Sequence, residues 1–138
     1  MNSNLWNKLY PNFKKSEFHC PCGCCQEPEM NEKLMDILQA IRNKYGQVDI
    51  KCGYRCKKQN DILKGSIPNS DHLYFRAADI QVKGMTSLNQ RKEIMLYASN
   101  FVGYKYSYCD GWINKKDGTN KAYTATNMGN SLHISVED

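Results

Sequence analysis

The sequence lacks any long apolar run. No stretch of its 138 residues approaches the ~18 apolar residues that a membrane-spanning helix needs, so we expect no membrane partner. Residues 1–11 are polar with isolated apolar side chains, unlike the apolar segment of a secretory signal. We therefore expect the chain to be made in the cytoplasm, and a target elsewhere requires another agent to deliver the protein.

Long blocks of like charge are also missing. Lysine and arginine total 19 against 14 acidic residues, giving a net charge of +5, but the basic residues group only in short pairs such as Lys14-Lys15 and Lys57-Lys58. Nucleic-acid tails carry longer basic runs, so we expect no nucleic-acid partner. The moderate positive charge instead suits a solvated surface that attracts an acidic polymer.

Internal repeats and low-complexity linkers are absent, which predicts a single domain over residues 1–138. Hydrophobic periodicity predicts helices over residues 30–45, 55–63 and 86–101. Alternating residues predict strands over 48–52, 77–82 and 132–136, and the Tyr- and Gly-rich tail from residue 103 predicts further strands joined by turns. Residues 66–74 are expected to form a loop. This mixture of helices and strands indicates the α+β class.

Seven cysteines make an odd number, so complete pairing within the chain is excluded and a reduced state is the default expectation. Four of them lie within residues 20–25 with gaps of one residue or none. Zinc ribbons instead use two separated pairs with two-residue gaps. We therefore expect a turn carrying buried thiols, or a local disulfide to Cys56, in preference to a second, structural zinc site.

Histidine is scarce, with three in the chain, and packing explains two of them poorly. His72 lies in the predicted loop after Ser70 and Asp71, and His133 alternates with apolar residues in the last strand. Period two places Asp79 and His133 on the polar faces of their strands, where a carboxylate is costly to bury unless it is paired or bound to a metal. If the two strands are neighbours, Asp79 and His133 converge and the loop at His72 can close over them.

Two imidazoles and one carboxylate form a typical catalytic zinc set, with the fourth position open for water. Zinc in such a site lowers the pKa of the water and polarises a scissile carbonyl. The structural alternative is a surface histidine, a hydrogen-bonded strand aspartate and a partly buried strand histidine. Spacing alone leaves both open.

The order of motifs adds a family resemblance. Five motifs follow the Glu17-Phe18 pair and the cysteine run, namely Cys52-Gly53-Tyr54-Arg55-Cys56, Asn60, Ser70-Asp71-His72-Leu73, Ala77-Ala78-Asp79-Ile80 and Leu132-His133-Ile134. This order resembles the zinc D-alanyl-D-alanine carboxypeptidase family, which includes vancomycin-resistance dipeptidases and phage L-alanyl-D-glutamate endolysins. The resemblance spans residues 13–136. It implies a small domain of the hedgehog and DD-peptidase type, with a mostly antiparallel central sheet and flanking helices.

The resemblance also implies residue roles. The ligands of one catalytic zinc ion would be His72, Asp79 and His133. Arg55 matches an arginine that binds substrate or stabilises the oxyanion, as a permanently charged guanidinium can. Ser70 matches a serine near the substrate, and Tyr54 is expected either beside the site or in the core.

The chain departs from the family pattern where the general base is expected, because that position holds Asn130. An amide cannot take up a proton at neutral pH. Three explanations stay open: Asp110 or Asp117 reaches in from the Tyr-rich tail, zinc alone supports slow hydrolysis, or the domain binds without cutting. Three lesser departures are Ser135 in place of Asp, Phe75 in place of Gly, and Gln59 in place of His.

Three functions are compatible with these features. The first is a monomeric zinc peptidase that acts on peptidoglycan stem peptides, as a D,D-carboxypeptidase or an endolysin, reaching the cell wall after release or as part of a virion. The second is a non-catalytic zinc module that binds peptidoglycan or belongs to a virion. A basic nucleic-acid binder is the weakest of the three.

Overall fold

The computed structural model describes residues 1–63, 67–123 and 127–138. Within these residues the helices are α1 (Ser3–Leu9), α2 (Glu32–Tyr45), α3 (Lys57–Ile62) and α4 (Leu88–Ala98), with short 3-10 helices at Lys15–Phe18 and Asp71–Tyr74. The strands are β1 (Val48–Cys52), β2 (Ala77–Val82), β3 (Tyr104–Cys109), β4 (Gly111–Lys115), β5 (Asn120–Tyr123) and β6 (Leu132–Val136).

The six described strands form one sheet in the order β1-β2-β6-β3-β4-β5. Every neighbouring pair is antiparallel, so the predicted α+β class with a central antiparallel sheet and flanking helices is confirmed. The last strand, β6, inserts between β2 and β3, which brings together residues far apart in the sequence. None of the described helices is long and apolar enough to cross a membrane.

One face of the sheet carries the core, where α2 and α4 pack on it. Asn31 begins α2 by accepting a hydrogen bond from the Lys33 amide, and the helix ends at Gly46 with φ of 102°. Its apolar stripe is fully buried against the inward side chains of β2 and β6, among them Ile80 and Ile134. Each such side chain contributes about 1.5–3 kcal/mol by leaving water. The core therefore fixes which face of β2 and β6 is left for polar residues.

The predicted strands at β1, β2 and β6 have the predicted bounds, and both long helices are present. Residues 71–74 of the predicted loop instead form a 3-10 helix, because the Ser70 hydroxyl accepts the His72 amide and caps it. Helix α1 was not predicted; its one buried residue, Trp6, anchors it by donating to the Phe13 carbonyl. Residues 64–66, which include the predicted stop at Gly65, lie outside the described residues.

The cysteine predictions are partly wrong. All seven cysteines are free, so the expected disulfide to Cys56 is not formed. Cys20 is buried as expected, but Cys22 and Cys24 are exposed. The turn therefore holds its sulfurs at the surface as well as in the core.

Candidate metal centre

Neighbouring strands place a row of chemically active side chains across the sheet. Cys52 of β1 pairs in register with Asp79 of β2, which in turn pairs with His133 of β6. His133 is also the register partner of Tyr108 on β3. Residues directly opposite on adjacent strands point to the same face. This row lies on the face opposite the apolar side chains of β2 and β6, as their alternation predicts.

Asp79 lies between the two histidines. Its Oδ1 is 2.8 Å from His133 Nδ1 and 3.4 Å from His72 Nε2. The two imidazole rings are 5.1 Å apart, at an interplanar angle of 73°. Both histidines are buried, and the Asp79 side chain is 18% exposed. The predicted convergence of Asp79, His133 and the His72 loop is therefore present.

Backbone and side-chain contacts fix the orientation of His72. Its Nδ1 lies 2.6 Å from the Gly53 carbonyl oxygen, so it carries the proton and donates it there. The Arg55 amide donates to the His72 carbonyl, and the Ser70 hydroxyl accepts the His72 amide. A histidine that donates one ring N–H to a carbonyl presents its other nitrogen in the form that binds metals. That nitrogen, Nε2, faces Asp79.

His133 is held between a hydrogen bond and an aromatic ring. Its Nε2 lies 2.6 Å from the Ser135 hydroxyl, on the same face of β6. Tyr108 stacks on the imidazole with ring centroids 4.5 Å apart and an interplanar angle of 17°. Ser135, which departs from the family pattern expected from the sequence, makes a polar contact to the ring. Neither Ser135 nor Tyr108 was predicted as a site residue, because their contacts depend on strand pairing.

In the candidate metal centre, the negative charge of Asp79 is balanced by positive charge on the neighbouring imidazole of His72. Burial opposes a charge on the carboxylate, but His72 and His133 hold the pKa of Asp79 below its usual value. Burial also opposes a charge on His72, yet Asp79 and Cys52 raise the pKa of this imidazole to about 10. Burial lowers the pKa of His133. The buried carboxylate therefore draws one positive charge to the site, which a metal cation can supply in place of a proton.

Cys52 is a fourth potential donor that the sequence prediction missed. Its Sγ is 3.7 Å from His72 Nδ1 and 3.8 Å from Arg55 Nη1. The ligand atoms of Cys52, His72 and Asp79 all lie within 4.8 Å of one another and could hold a metal ion. Recognising Cys52 requires the register of β1 with β2, which the sequence motif does not contain.

The residues predicted to contact substrate separate into two places. Arg55 Nη2 donates to the Ser70 hydroxyl at 3.1 Å, directly beside His72. Tyr54 instead stacks on Phe75, with centroids 4.4 Å apart, and packs on the core. Phe75 has a φ of 62°, the left-handed region that favours glycine. This conformation is compatible with the glycine that the family resemblance led us to expect there, and the stacking on Tyr54 offsets the strain.

Asn130 is exposed in the turn that precedes β6. The Asp110 carboxylate accepts hydrogen bonds from the amides of Met128 and Gly129, so it supports that same turn. Asp117 is exposed in the hairpin between β4 and β5, where its side chain accepts the Thr119 amide. Both carboxylates thus hold backbone turns.

A cleft of about 810 Å³ adjoins the centre. Tyr108 links the two, because it lines the cleft and stacks on His133. The cleft is lined by aromatic, apolar and charged residues, namely Tyr106, Tyr108, Tyr123, Ile67, Ile113, Lys105, Lys115, Lys116 and Asp117. Two of its lysines form ion pairs, Lys105 with Asp71 and Lys116 with Glu137.

Comparison with known families decides the class of this protein. A family model described as Peptidase M15 matches residues 11–114. The chain belongs to the peptidase M15 family. The match includes His72, Asp79 and Arg55 but ends before His133, whose place beside Asp79 is an observation of the structure. Comparisons with curated proteins and with solved structures gave no match.

Membership of the M15 family implies hydrolase activity, and the family is in general zinc-dependent. The resemblance drawn from the motif order is thereby confirmed.

Proposed function

We propose that this protein is a zinc-dependent peptidase that acts on the stem peptides of peptidoglycan, with the ion held by His72, Asp79 and His133. The observation that carries the proposal is the convergence of these three side chains on the polar face of β2 and β6 in a chain of the M15 family. As a wall enzyme it would act after release from the cell or as part of a virion.

The donor set fits zinc. Two imidazoles and one carboxylate match a catalytic zinc site, and a metal cation can replace the proton of His72 as the positive partner of Asp79. The Gly53 carbonyl accepts the Nδ1 hydrogen of His72 and so fixes the orientation of this ligand, as hydrogen-bond partners of zinc ligands commonly do. When bound, zinc supplies Lewis acidity toward a water molecule and a peptide carbonyl. Cys52 lies close enough to compete as a ligand, which a test of the ion's position must resolve.

Arg55 and the cleft supply the substrate contacts in this proposal. Ser70 orients the Arg55 guanidinium beside His72, where it can bind a terminal carboxylate or a developing oxyanion. Stem peptides carry carboxylates, and Lys115 lines the adjoining cleft together with Lys105 and Lys116, whose ammonium groups also pair with Asp71 and Glu137. Attraction between these charges would hold an elongated acidic peptide across β3, β4 and β5.

The missing general base limits the expected rate. Asn130 occupies that position, and an amide does not accept the proton of the attacking water. General-base catalysis contributes typically about 10²–10⁴-fold. We therefore expect slow hydrolysis by the wild-type protein. The same observation favours one alternative, a non-catalytic zinc module that binds peptidoglycan without cutting it.

The test is a gain of function. Zinc-loaded wild type, Asn130→Glu and Asn130→Gln are incubated with purified peptidoglycan, and released peptides are identified by mass spectrometry. Asn130→Glu is expected to raise the rate by about 10²-fold or more. Asn130→Gln is the matched control, because glutamine has the size of glutamate but cannot act as a base. It should leave the rate of peptide release unchanged. If zinc-loaded protein binds peptidoglycan but none of the three releases a peptide, the enzyme proposal is wrong and the binding module is favoured.

A further inference from the structure

A second group of potential ligands lies outside the candidate metal centre. The Sγ atoms of Cys20, Cys22, Cys24 and Cys56 all lie within 4.8 Å of one another. The sulfur of Cys22 is 3.3 Å from that of Cys20 and 3.5 Å from that of Cys56. We call these four residues the cysteine cluster. Its members come from two segments that are separated by more than thirty residues of sequence.

The backbone between Cys20 and Cys25 explains how sulfurs spaced by single residues meet. Gly23 has a φ of 83°, the left-handed conformation that reverses the chain direction. Its amide donates to the Cys20 carbonyl at 2.9 Å, and the Cys20 amide donates to the Cys25 carbonyl at 3.0 Å. The chain therefore curls into a tight turn, and three side chains on alternating positions point to one side.

Backbone amides also point at the sulfurs. The Cys56 amide donates to the Cys20 sulfur, and the Gln59 amide donates to the Cys56 sulfur, each at 3.4 Å. An ionised sulfur is a stronger hydrogen-bond acceptor than a thiol, so these amides suit a metal-bound thiolate, although burial raises the pKa of Cys20 in the metal-free protein. The thiolate is the form that binds metals.

We propose that the cysteine cluster holds one structural zinc ion. At a Zn–S distance of about 2.3 Å, the sulfurs of a tetrahedral site lie about 3.8 Å apart. Two of the six sulfur–sulfur separations are 3.3 and 3.5 Å and all six are within 4.8 Å, so the four sulfurs reach that geometry by shifts of about 1 Å or less. Four soft thiolates select zinc over harder cations, and a closed set of four leaves no position for substrate.

The role of this ion would be to fix one side of the candidate metal centre. Cys56 ends the segment 52–56, and the Tyr54 amide in that segment donates to the Phe18 carbonyl. The same segment carries the Gly53 carbonyl that orients His72, together with Arg55. Zinc in the cysteine cluster would clamp the segment to the turn at residues 20–25, and so hold both groups in place.

Metal content tests the proposal. Protein prepared under reducing conditions is loaded with zinc and measured by elemental analysis, and a parallel sample is loaded with cobalt for absorption spectra. The wild type is expected to hold two zinc ions, one per ligand group. Cys22→Ser and Cys24→Ser should each lose one equivalent and the thiolate-to-cobalt charge-transfer band. Cys25→Ser, a neighbour outside the cluster, is the matched control and should retain both.

Alkylation of the wild type provides a measurement that does not depend on the folding of a variant. Cys22 is exposed, and hydrogen bonds from Cys24 and its other cysteine neighbours lower its pKa to about 6, so iodoacetamide should modify Cys22 rapidly in metal-free protein and slowly in zinc-loaded protein. Equal modification in both samples, or zinc content unchanged by Cys22→Ser and Cys24→Ser, would overturn the proposal. The His72→Ala variant separates the two sites: if it keeps all its zinc while Cys24→Ser loses one ion, the proposed peptidase centre fails and the cysteine cluster stands.

Discussion

The two ligand groups of this protein are assembled in different ways. In the candidate metal centre, Asp79 and His133 come from the neighbouring strands β2 and β6 and His72 from the 3-10 helix at Asp71–Tyr74, across more than sixty residues of sequence. The cysteine cluster joins the buried Cys20 to the exposed Cys22 and Cys24 and takes three of its four sulfurs from one short turn. Rigid strands suit a site whose geometry must serve catalysis, whereas a local turn suffices for a closed structural site. The segment 52–56 connects the two.

The largest effect is expected from His72→Ala, which separates the sites directly. Removing this imidazole leaves Asp79 without its main charge partner and the proposed zinc with an incomplete ligand set. We expect the loss of one zinc equivalent and of all peptide release, with the cysteine cluster still loaded. Elemental analysis and the peptide-release assay measure both. His19→Ala is the control, because this histidine is exposed and contacts only local backbone.

Gly53→Ala is expected to disturb both sites through the connecting segment. A Cβ at this position would lie 2.6 Å from Phe18 Cα, so backbone must move. Overpacking of this kind costs about 1–3 kcal/mol in the free energy of unfolding, measured by urea denaturation. Gly84→Ala has open space around its Cβ but a φ of 80°, so it isolates conformational strain of about 1–2 kcal/mol. Zinc affinity should fall in Gly53→Ala and stay unchanged in Gly84→Ala; equal affinities would contradict the coupling.

The pH dependence of zinc binding reports the loss of a proton from the histidine centre, once the cysteine cluster is removed by mutation. Without metal, the pKa of His72 is raised from 6.5 to about 10, so its proton contributes stability below 6.5 that is lost as the pH rises through about 10. Zinc must displace this proton, so its affinity should rise about tenfold per pH unit between about pH 6 and about pH 8. Titration in a Cys22→Ser Cys24→Ser background, with a fluorescent competitor, isolates this centre. A flat affinity would show that His72 loses no proton on binding.

The smallest effect is expected from Phe75→Gly. Glycine relieves the left-handed conformation at φ of 62°, but the variant loses the stacking on Tyr54. Because each contribution is about 1 kcal/mol, the net change in unfolding free energy should be within about 1 kcal/mol. Thermal or urea denaturation measures this change in unfolding free energy. The Tyr54→Ala variant loses the stacking but keeps Phe75 in its left-handed conformation, so it measures the stacking contribution separately. A large destabilisation by Phe75→Gly would mean that the packing of the Phe75 ring stabilises the protein by more than its left-handed backbone conformation destabilises it.

Sequence patterns predicted the parts of the site that depend on periodicity. Alternation in β2 and β6 placed Asp79 and His133 on polar faces, and the structure makes the two strands neighbours. The contribution of Cys52 and the stacking of Tyr108 could not be predicted, because both depend on strand register. Register follows from the packing of the whole sheet, which no single motif specifies.

The zinc site that we propose for the cysteine cluster could not be predicted from sequence spacing, for a local reason. Single-residue gaps differ from the two-residue gaps of zinc ribbons, so the spacing argued against a shared site. The left-handed conformation of Gly23 turns the chain so that three sulfurs come together, and Cys56, which follows β1, supplies the fourth. Gly23 inside the run indicates a turn in the sequence, but only the structure shows that this turn brings the sulfurs together.

Anomalous scattering at the zinc edge from crystals of zinc-loaded protein locates the catalytic-type zinc ion. We expect a peak about 2.0–2.2 Å from one nitrogen each of His72 and His133 and from an Asp79 oxygen. A peak bound by Cys52, His72 and Asp79 without His133, or no peak at this face of the sheet, would contradict the proposed site.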